Sequence, residues 1–420
     1  MNIKARLFIA AAICASPSAV LAQFQSQALA QPEQVEDVLT FNAGVEMTRD
    51  DNIFRLDAGI DPTPTYGKSS RSDTVVSGVF GVKFDRDISL QRITVSGEVR
   101  PVKYLEYSRF DNIGYTGLAN WNWAIGRPWF GTLGLSLDQR MSDFTDAQQS
   151  DKNLQRINRF YVTAGMRLTP SWAVVVGADT TSLSNSTAAQ RASDYDFNSV
   201  EAGARFAPGT GTELEFVFRS TDGKYPNRQV VDAVGGVLAV AGGVDNSFTQ
   251  QELLARMQVQ PSLDTKMTGS VGLTKRSFDN LSQRDFSGPT ARLSLDWRPG
   301  GAFFMGVDLI RAIYSEELLT SNYVEVTQLR LRPSFRLTGK LTLNGIASIE
   351  KRSYAGDPGF VTSNNAVRDD DLSTYGVGLT WDYARNIQFG AFMRREERSS
   401  NYANLDFTAN LFGLSAKLSF

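Results

Sequence analysis

Read backwards from its last residue, the chain alternates strictly. Phe420, Leu418, Ala416, Leu414 and Phe412 share one parity, and Ser419, Lys417, Ser415 and Gly413 share the other. A period of two is the pleat of a strand, so the pattern predicts a terminal β-strand with one apolar face that ends on an aromatic ring. The same dyad runs through Leu39, Phe41, Ala43, Val45 and Met47 and through positions 115–125. It returns in Phe160, Val162, Ala164, Met166 and Leu168, with Arg159, Tyr161, Thr163 and Arg167 on the other parity. Leu293, Leu295 and Trp297 oppose Arg292, Ser294 and Asp296, and Tyr375, Val377, Leu379, Trp381 and Tyr383 oppose a Gly- and Thr-rich face. A helix would repeat at 3.6 residues and would be weakened by this much glycine and β-branching.

The connections fall into two classes. Eight are short and carry Pro, Gly or Asn chemistry: 85–87, 126–129, 169–172, 207–211, 260–262, 298–301, 338–340 and 384–386. Pro presets and Gly permits turn dihedrals. Nine longer polar connections lie near 49–72, 107–113, 139–157, 182–196, 219–247, 277–286, 314–322, 353–372 and 397–404. Short turns alternating with long loops are the signature of an all-β, transmembrane, antiparallel up-and-down β-barrel. Eight turns and nine loops predict about 18 strands, with 16–20 tolerated for an error of one hairpin. A soluble array of sandwiches explains the alternation but not the two loop classes.

The N-terminus agrees with export. Lys4 and Arg6 precede an apolar run and a small-residue site ending at Ala22, the layout of a secretory signal peptide. The expected organisation is a signal peptide over 1–22, a flexible periplasmic tail over 23–36 and an outer-membrane barrel over 37–420. The one cysteine, Cys14, falls in the leader, so no disulfide framework is expected. No apolar stretch is long enough for a transmembrane helix.

Composition removes other classes. Lys+Arg total 43 against 45 Asp+Glu among 420 residues, which is no nucleic-acid footprint. Histidine is absent, which excludes Ser–His–Asp catalysis and His-ligated zinc. The chain is therefore not expected to be an enzyme. Asp50-Asp51 and Asp369-Asp370-Asp371 lack the spacing of a calcium loop, so neither metal nor cofactor is expected.

Trp121, Trp123, Trp129, Trp172, Trp297, Trp381 and Tyr383 cluster towards the short-turn ends, as an aromatic girdle at the periplasmic interface would. The other parity faces a lumen and is rich in arginine. Arg330, Arg332 and Arg336 share one strand, joined by Arg292, Arg167 and Arg394, with Arg159, Arg205, Arg256, Arg276 and Arg352 elsewhere. Glu201, Glu215, Asp308 and Glu350 lie on the same parity. Two readings stay open: a basic wall that attracts anionic solutes, or Arg–carboxylate ladders that satisfy each other across strands. The Gly/Val-rich stretch within 219–247 is expected either to fold into the lumen or to stand as a hairpin above the rim.

One stretch carries a family resemblance. Phe41-Asn-Ala-Gly-Val-Glu-Met-Thr-Arg-Asp-Asp-Asn-Ile-Phe-Arg-Leu56, and within it Asp-Asp-Asn-Ile-Phe-Arg, resembles the opening of EpsL-type β-barrel porins of exopolysaccharide operons. Tyr323-Val-Glu-Val-Thr-Gln-Leu-Arg-Leu-Arg-Pro333, Lys351-Arg-Ser-Tyr354 and the terminal Phe continue the similar layout. The resemblance implies an outer-membrane conduit for exopolysaccharide export, with polysaccharide and periplasmic export components as partners, and brings no catalytic residues. A general diffusion porin and a non-conducting structural barrel are the alternatives. Outer-membrane lipid and the barrel assembly machinery are the other expected partners, the latter through Phe420, Leu418, Leu414 and Phe412.

Overall fold

A computed structural model describes residues 38–145, 151–209, 211–227, 230–231, 237–239, 245–280, 282–318, 321–355 and 367–420. The expected leader and tail lie outside the described residues. One antiparallel sheet of 18 strands closes on itself. In chain order the first half is β1 (Leu39–Asp50), β2 (Asp73–Ile88), β3 (Gln91–Tyr104), β4 (Asn112–Ile125), β5 (Trp129–Met141), β6 (Leu154–Arg167), β7 (Trp172–Asn185), β8 (Tyr195–Gly209) and β9 (Thr212–Lys224). A two-stranded ribbon follows, β10 (Val230–Val231) with β11 (Val237–Ala239). The barrel resumes with β12 (Phe248–Ser262), β13 (Thr265–Phe278), β14 (Phe286–Gly300), β15 (Phe303–Leu318) and β16 (Ser321–Arg336). It ends with β17 (Leu341–Ala355), β18 (Asp369–Ala384), β19 (Ile387–Ser400) and β20 (Phe407–Ser419). Each barrel strand pairs with its neighbours in sequence, β9 pairs directly with β12, and β1 closes the ring on β20 from Asn42↔Ser419 to Asp50↔Leu411.

Burial is inverted relative to a water-soluble protein. Tyr375, Val377, Leu379, Trp381 and Tyr383 of β18 are all exposed, whereas Gln328, Arg330, Ser348 and Glu350 are buried. Large apolar side chains point outward all round the ring, and only an apolar solvent makes that arrangement favourable. The closed ladder leaves no unpaired edge to face lipid.

All eight short connections sit at the end that holds both Leu39 and Phe420, as the sequence predicts. Three are displaced. β8, β12 and β14 run through Pro208, Pro261 and Pro299, and their pairing slips between Phe206 and Gly209, Val259 and Ser262, and Trp297 and Gly300. Proline cannot donate to the ladder, so it occupies irregular strand ends rather than the turn itself. Positions 85–87 likewise belong to β2, and the reversal falls at Ser89, whose φ is 57°.

The long connections are shorter than the sequence suggests. β9 continues to Lys224, and β15 and β16 run on to pair Leu318 with Ser321, so 314–322 is mostly ladder. Nothing in the composition of these polar strand ends marks where the membrane ends. Most of the Gly/Val-rich stretch, and most of 353–372, lies outside the described residues.

Candidate functional site: the lumenal wall and its mouth

The inward parity builds a wall of cross-strand ion pairs. On β6–β9 and β12 these form one continuous network. Arg219 bridges to Asp179 at 2.7 Å, and Arg159 reaches the same carboxylate at 3.3 Å. Arg256 spans Glu201 at 2.6 Å and Glu215 at 3.0 Å, while Arg205 meets Glu215 at 2.8 Å. The bidentate guanidinium fork suits carboxylates on adjacent strands, so ladder register and charge pattern support each other. This is the ladder reading of the sequence, and it describes this side of the bore.

The arc from β14 to β16 is different. Arg292, Arg298, Arg330, Arg332 and Arg336 occupy inward positions of β14 and β16, and the acids among them are Asp296 and, on the intervening β15, Asp308. Arg332 pairs with Asp308 at 2.9 Å and approaches Asp296 at 3.6 Å. Arg330 is 4% exposed and donates to Gln328 at 3.1 Å. Arg292 donates to the Tyr314 hydroxyl at 3.0 Å. On β1 and β2 the balance reverses, with Glu46, Asp50, Asp73 and Asp85 inward against Lys83.

The six arginines singled out from the sequence therefore do not form one cluster. Arg292, Arg330, Arg332 and Arg336 share the basic arc, Arg336 at its short-turn end. Arg394 sits on β19, 2.8 Å from Glu396. Arg167 and Arg336 are exposed at the short-turn rim, where Arg167 lies 4.8 Å from the Phe130 ring and donates to the Arg127 carbonyl.

The long-loop mouth is partly filled. Residues 51–72 fold inward, and Phe54 packs face to face on Tyr66 at 3.6 Å and edge-on to Tyr107 and Phe144. Tyr104 and Val75, inward residues of β3 and β2, pack against this cluster. Asn52 ties the loop together, accepting from Leu56 N–H at 3.0 Å and donating to the carbonyls of Leu56 and of Thr408 on β20. Arg55, in the left-handed region at φ 54°, is buried and bonds Asp50 at 2.8 Å and Glu396 at 3.0 Å. Burial pulls its pKa down, but Asp50, Glu396 and Asp143 outweigh burial and hold it above the ordinary guanidinium value. A cavity of about 870 Å³ lies between this loop and the wall of β15–β20, lined by Asn52, Leu56, Arg71, Gln328, Glu350 and Arg398 among others.

A second aromatic group stands elsewhere in the mouth. The Arg276 guanidinium lies 3.9 Å from the Phe248 ring and 5.0 Å from Phe286, and Tyr225 packs beside Phe248. Arg55, Arg368 with Asp370, and Arg398 are wall or mouth groups the parity argument missed. Arg55 and Arg368 lie in connections, where alternation gives no direction. Of the Asp50-Asp51 and Asp369–Asp371 acids, Asp50 is bonded to Arg55 and Asp370 to Arg368.

Residues 254–420, from within β12 to the last strand, match the family described as "Putative beta-barrel porin 2". No curated protein matches the chain. Among solved structures, OpdK of Pseudomonas aeruginosa with vanillate is similar at 10% identity and TM-score 0.46, covering 91% of this chain and 99% of that one. OccK9 (OpdG) of the same organism is similar at 11% and 0.48, covering 91% and 98%. OccAB3 of Acinetobacter baumannii is similar at 9% and 0.45, covering 91% and 99%. The chain is a closed antiparallel β-barrel of 18 strands whose C-terminal part matches that porin family.

Proposed function

We propose that the barrel is a diffusion channel for small hydrophilic solutes that favours anions. The observation that supports it most directly is the inward basic arc of Arg292, Arg298, Arg330, Arg332 and Arg336 in a closed ring whose outer face is apolar. Fixed charge on one wall of a narrow low-dielectric passage raises the local concentration of counter-ions. Catalysis has no part in this reading.

Planar-bilayer recording under a salt gradient tests it. The expected result is discrete steps with an anion-favouring reversal potential. Arg330→Ala/Arg332→Ala/Arg336→Ala is expected to lower the anion-to-cation permeability ratio roughly threefold. Silence from folded, heat-modifiable protein, or selectivity indifferent to the triple substitution, refutes the proposal.

A second reading, an exopolysaccharide conduit, draws on one feature. The Asp50-Asp51-Asn52-Ile53-Phe54-Arg55 stretch that carries the EpsL-type resemblance leads into a loop that, among the described residues, folds into the mouth. Concentration-dependent block by acidic oligosaccharides, without block by glucose, supports the conduit over the general channel.

Assembly of the barrel depends on its last strand. Phe420 and Phe41 exchange backbone hydrogen bonds of 2.9 Å each, and the Phe420 ring faces outward. Phe420→Ala is expected to lower the folded, heat-modifiable fraction in outer membranes severalfold, read by gel shift, while the purified protein refolds in detergent.

A further inference from the structure

The tips of the short turns carry charge that nothing beside them answers. Four consecutive hairpins, from β12–β13 to β18–β19, form one arc of the short-turn rim. Arg298 stands at the end of β14, Arg336 ends β16, Lys340 lies in the turn before β17 and Arg385 in the turn before β19. Arg336, Lys340 and Arg385 are exposed. Lys340 donates to the Tyr383 carbonyl and Arg298 lies 5.5 Å from the Phe304 ring, and none of the four forms an ion pair among the described residues. The acids nearby do not offset them. Asp382 accepts from Gln388 at 2.9 Å, Asp296 lies 3.6 Å from Arg332, and only Asp264 stands exposed on the arc among the described residues. The wall of β6–β9 and β12, by contrast, pairs its arginines across strands.

The same arc exposes an apolar tip. Leu263, in the reversal between β12 and β13, is 92% exposed. Two-residue reversals ordinarily take Gly, Asn or Asp, so the turn itself does not call for leucine. The described connections at this end are all short, and none stands over the arc. Adjacent hairpins lie two strand spacings apart, about 10 Å. One carboxylate cannot meet the cations of two turns at that distance, whereas a chain of carboxylates engages several together, and linked contacts reinforce one another. An extended polypeptide of about ten residues spans the four turns. Guanidinium forks suit its carboxylates, and an apolar side chain on it can cover Leu263, which a wholly hydrophilic polymer cannot.

We propose that this arc of the short-turn rim is a docking surface for an extended acidic segment of a protein on that side of the membrane. Its carboxylates lie on Lys340 and Arg385, with Arg298 and Arg336 at the inner edge, and an apolar side chain rests on Leu263. Docking here is independent of what the bore passes.

Fluorescence anisotropy tests it with the full chain in nanodiscs of phosphatidylcholine, which holds no anionic lipid to compete. The probe is a labelled synthetic peptide of about twelve residues, Glu alternating with Ser and ending in two Leu. Its counterparts carry Lys for Glu, or Ser for Leu, and an oligogalacturonate supplies equal charge on a glycan. The acidic peptide is expected to bind, the Lys peptide not, and the Leu-free peptide and the glycan each about threefold or more weakly. Lys340→Gln/Arg385→Gln should weaken binding about tenfold, and Lys340→Arg/Arg385→Lys should keep it. Leu263→Ser should weaken only the peptide that carries Leu. The bilayer conductance of these variants should match the parent, and heat-modifiability checks that each is folded. Equal binding of the Lys peptide, undiminished binding in the Gln variant, or a glycan that binds as well as the Leu-bearing peptide overturns the proposal.

Discussion

Replacing Arg55 with alanine is expected to release the 51–72 loop from the barrel wall and raise single-channel conductance severalfold. The side chain is 6% exposed and answers two carboxylates from different strands, Asp50 of β1 and Glu396 of β19, while its ring neighbour is Phe407. Removing one partner of a buried ion pair costs about 3–5 kcal/mol, and here Asp50 loses its guanidinium while Glu396 keeps Arg394. Phe54 and Tyr66 still hold the loop, so the expected change is local opening rather than unfolding. The check pairs bilayer recording with limited proteolysis at 51–72. Faster cleavage with unchanged conductance would show that the loop moves but does not obstruct the bore. Unchanged cleavage would show that Arg55 does not anchor it.

The second large effect contrasts two adjacent positions of β18. Leu379 is exposed on the outer face near the middle of the apolar band, and Thr380, one residue on, points inward to accept from Asn344 at 3.0 Å. Leu379→Arg is expected to destabilise the barrel by about 2–4 kcal/mol, the cost of a cation on the lipid face near the midplane. Thr380→Arg puts the same cation in the lumen, where the expected stability loss is much smaller and the anion preference rises. Urea unfolding in lipid vesicles measures both. Equal losses at the two positions would show that the alternation does not separate lipid from lumen.

These contrasts rest on the feature most legible in the sequence. Alternation through 375–383 and 412–420 fixes which side chains meet lipid, because a period of two leaves no freedom once one residue is assigned. The count of strands followed from turn chemistry, although Pro208, Pro261 and Pro299 belong to irregular strand ends. What the pattern could not supply was partnership. Arg292 and Arg394 share a parity and a residue type, yet one bonds a tyrosine and the other a glutamate on its own strand, since register sets their neighbours. Arg55 was legible only as part of a resemblance. Its direction comes from a left-handed backbone and an aromatic cluster drawn from three separate connections.

The seam between β1 and β20 joins Asn42 to Ser419 and Asp50 to Leu411. The first strand synthesised therefore waits for the last. Until β20 arrives, both β1 and β19 offer bare hydrogen-bonding rows to any passing chain. Contacts so distant along the sequence also close slowly. Timing is thus written into the topology. A chain stalled before residue 407 would not be a slightly smaller ring but an open curl with two adhesive margins, and its survival would depend on an escort that covers both.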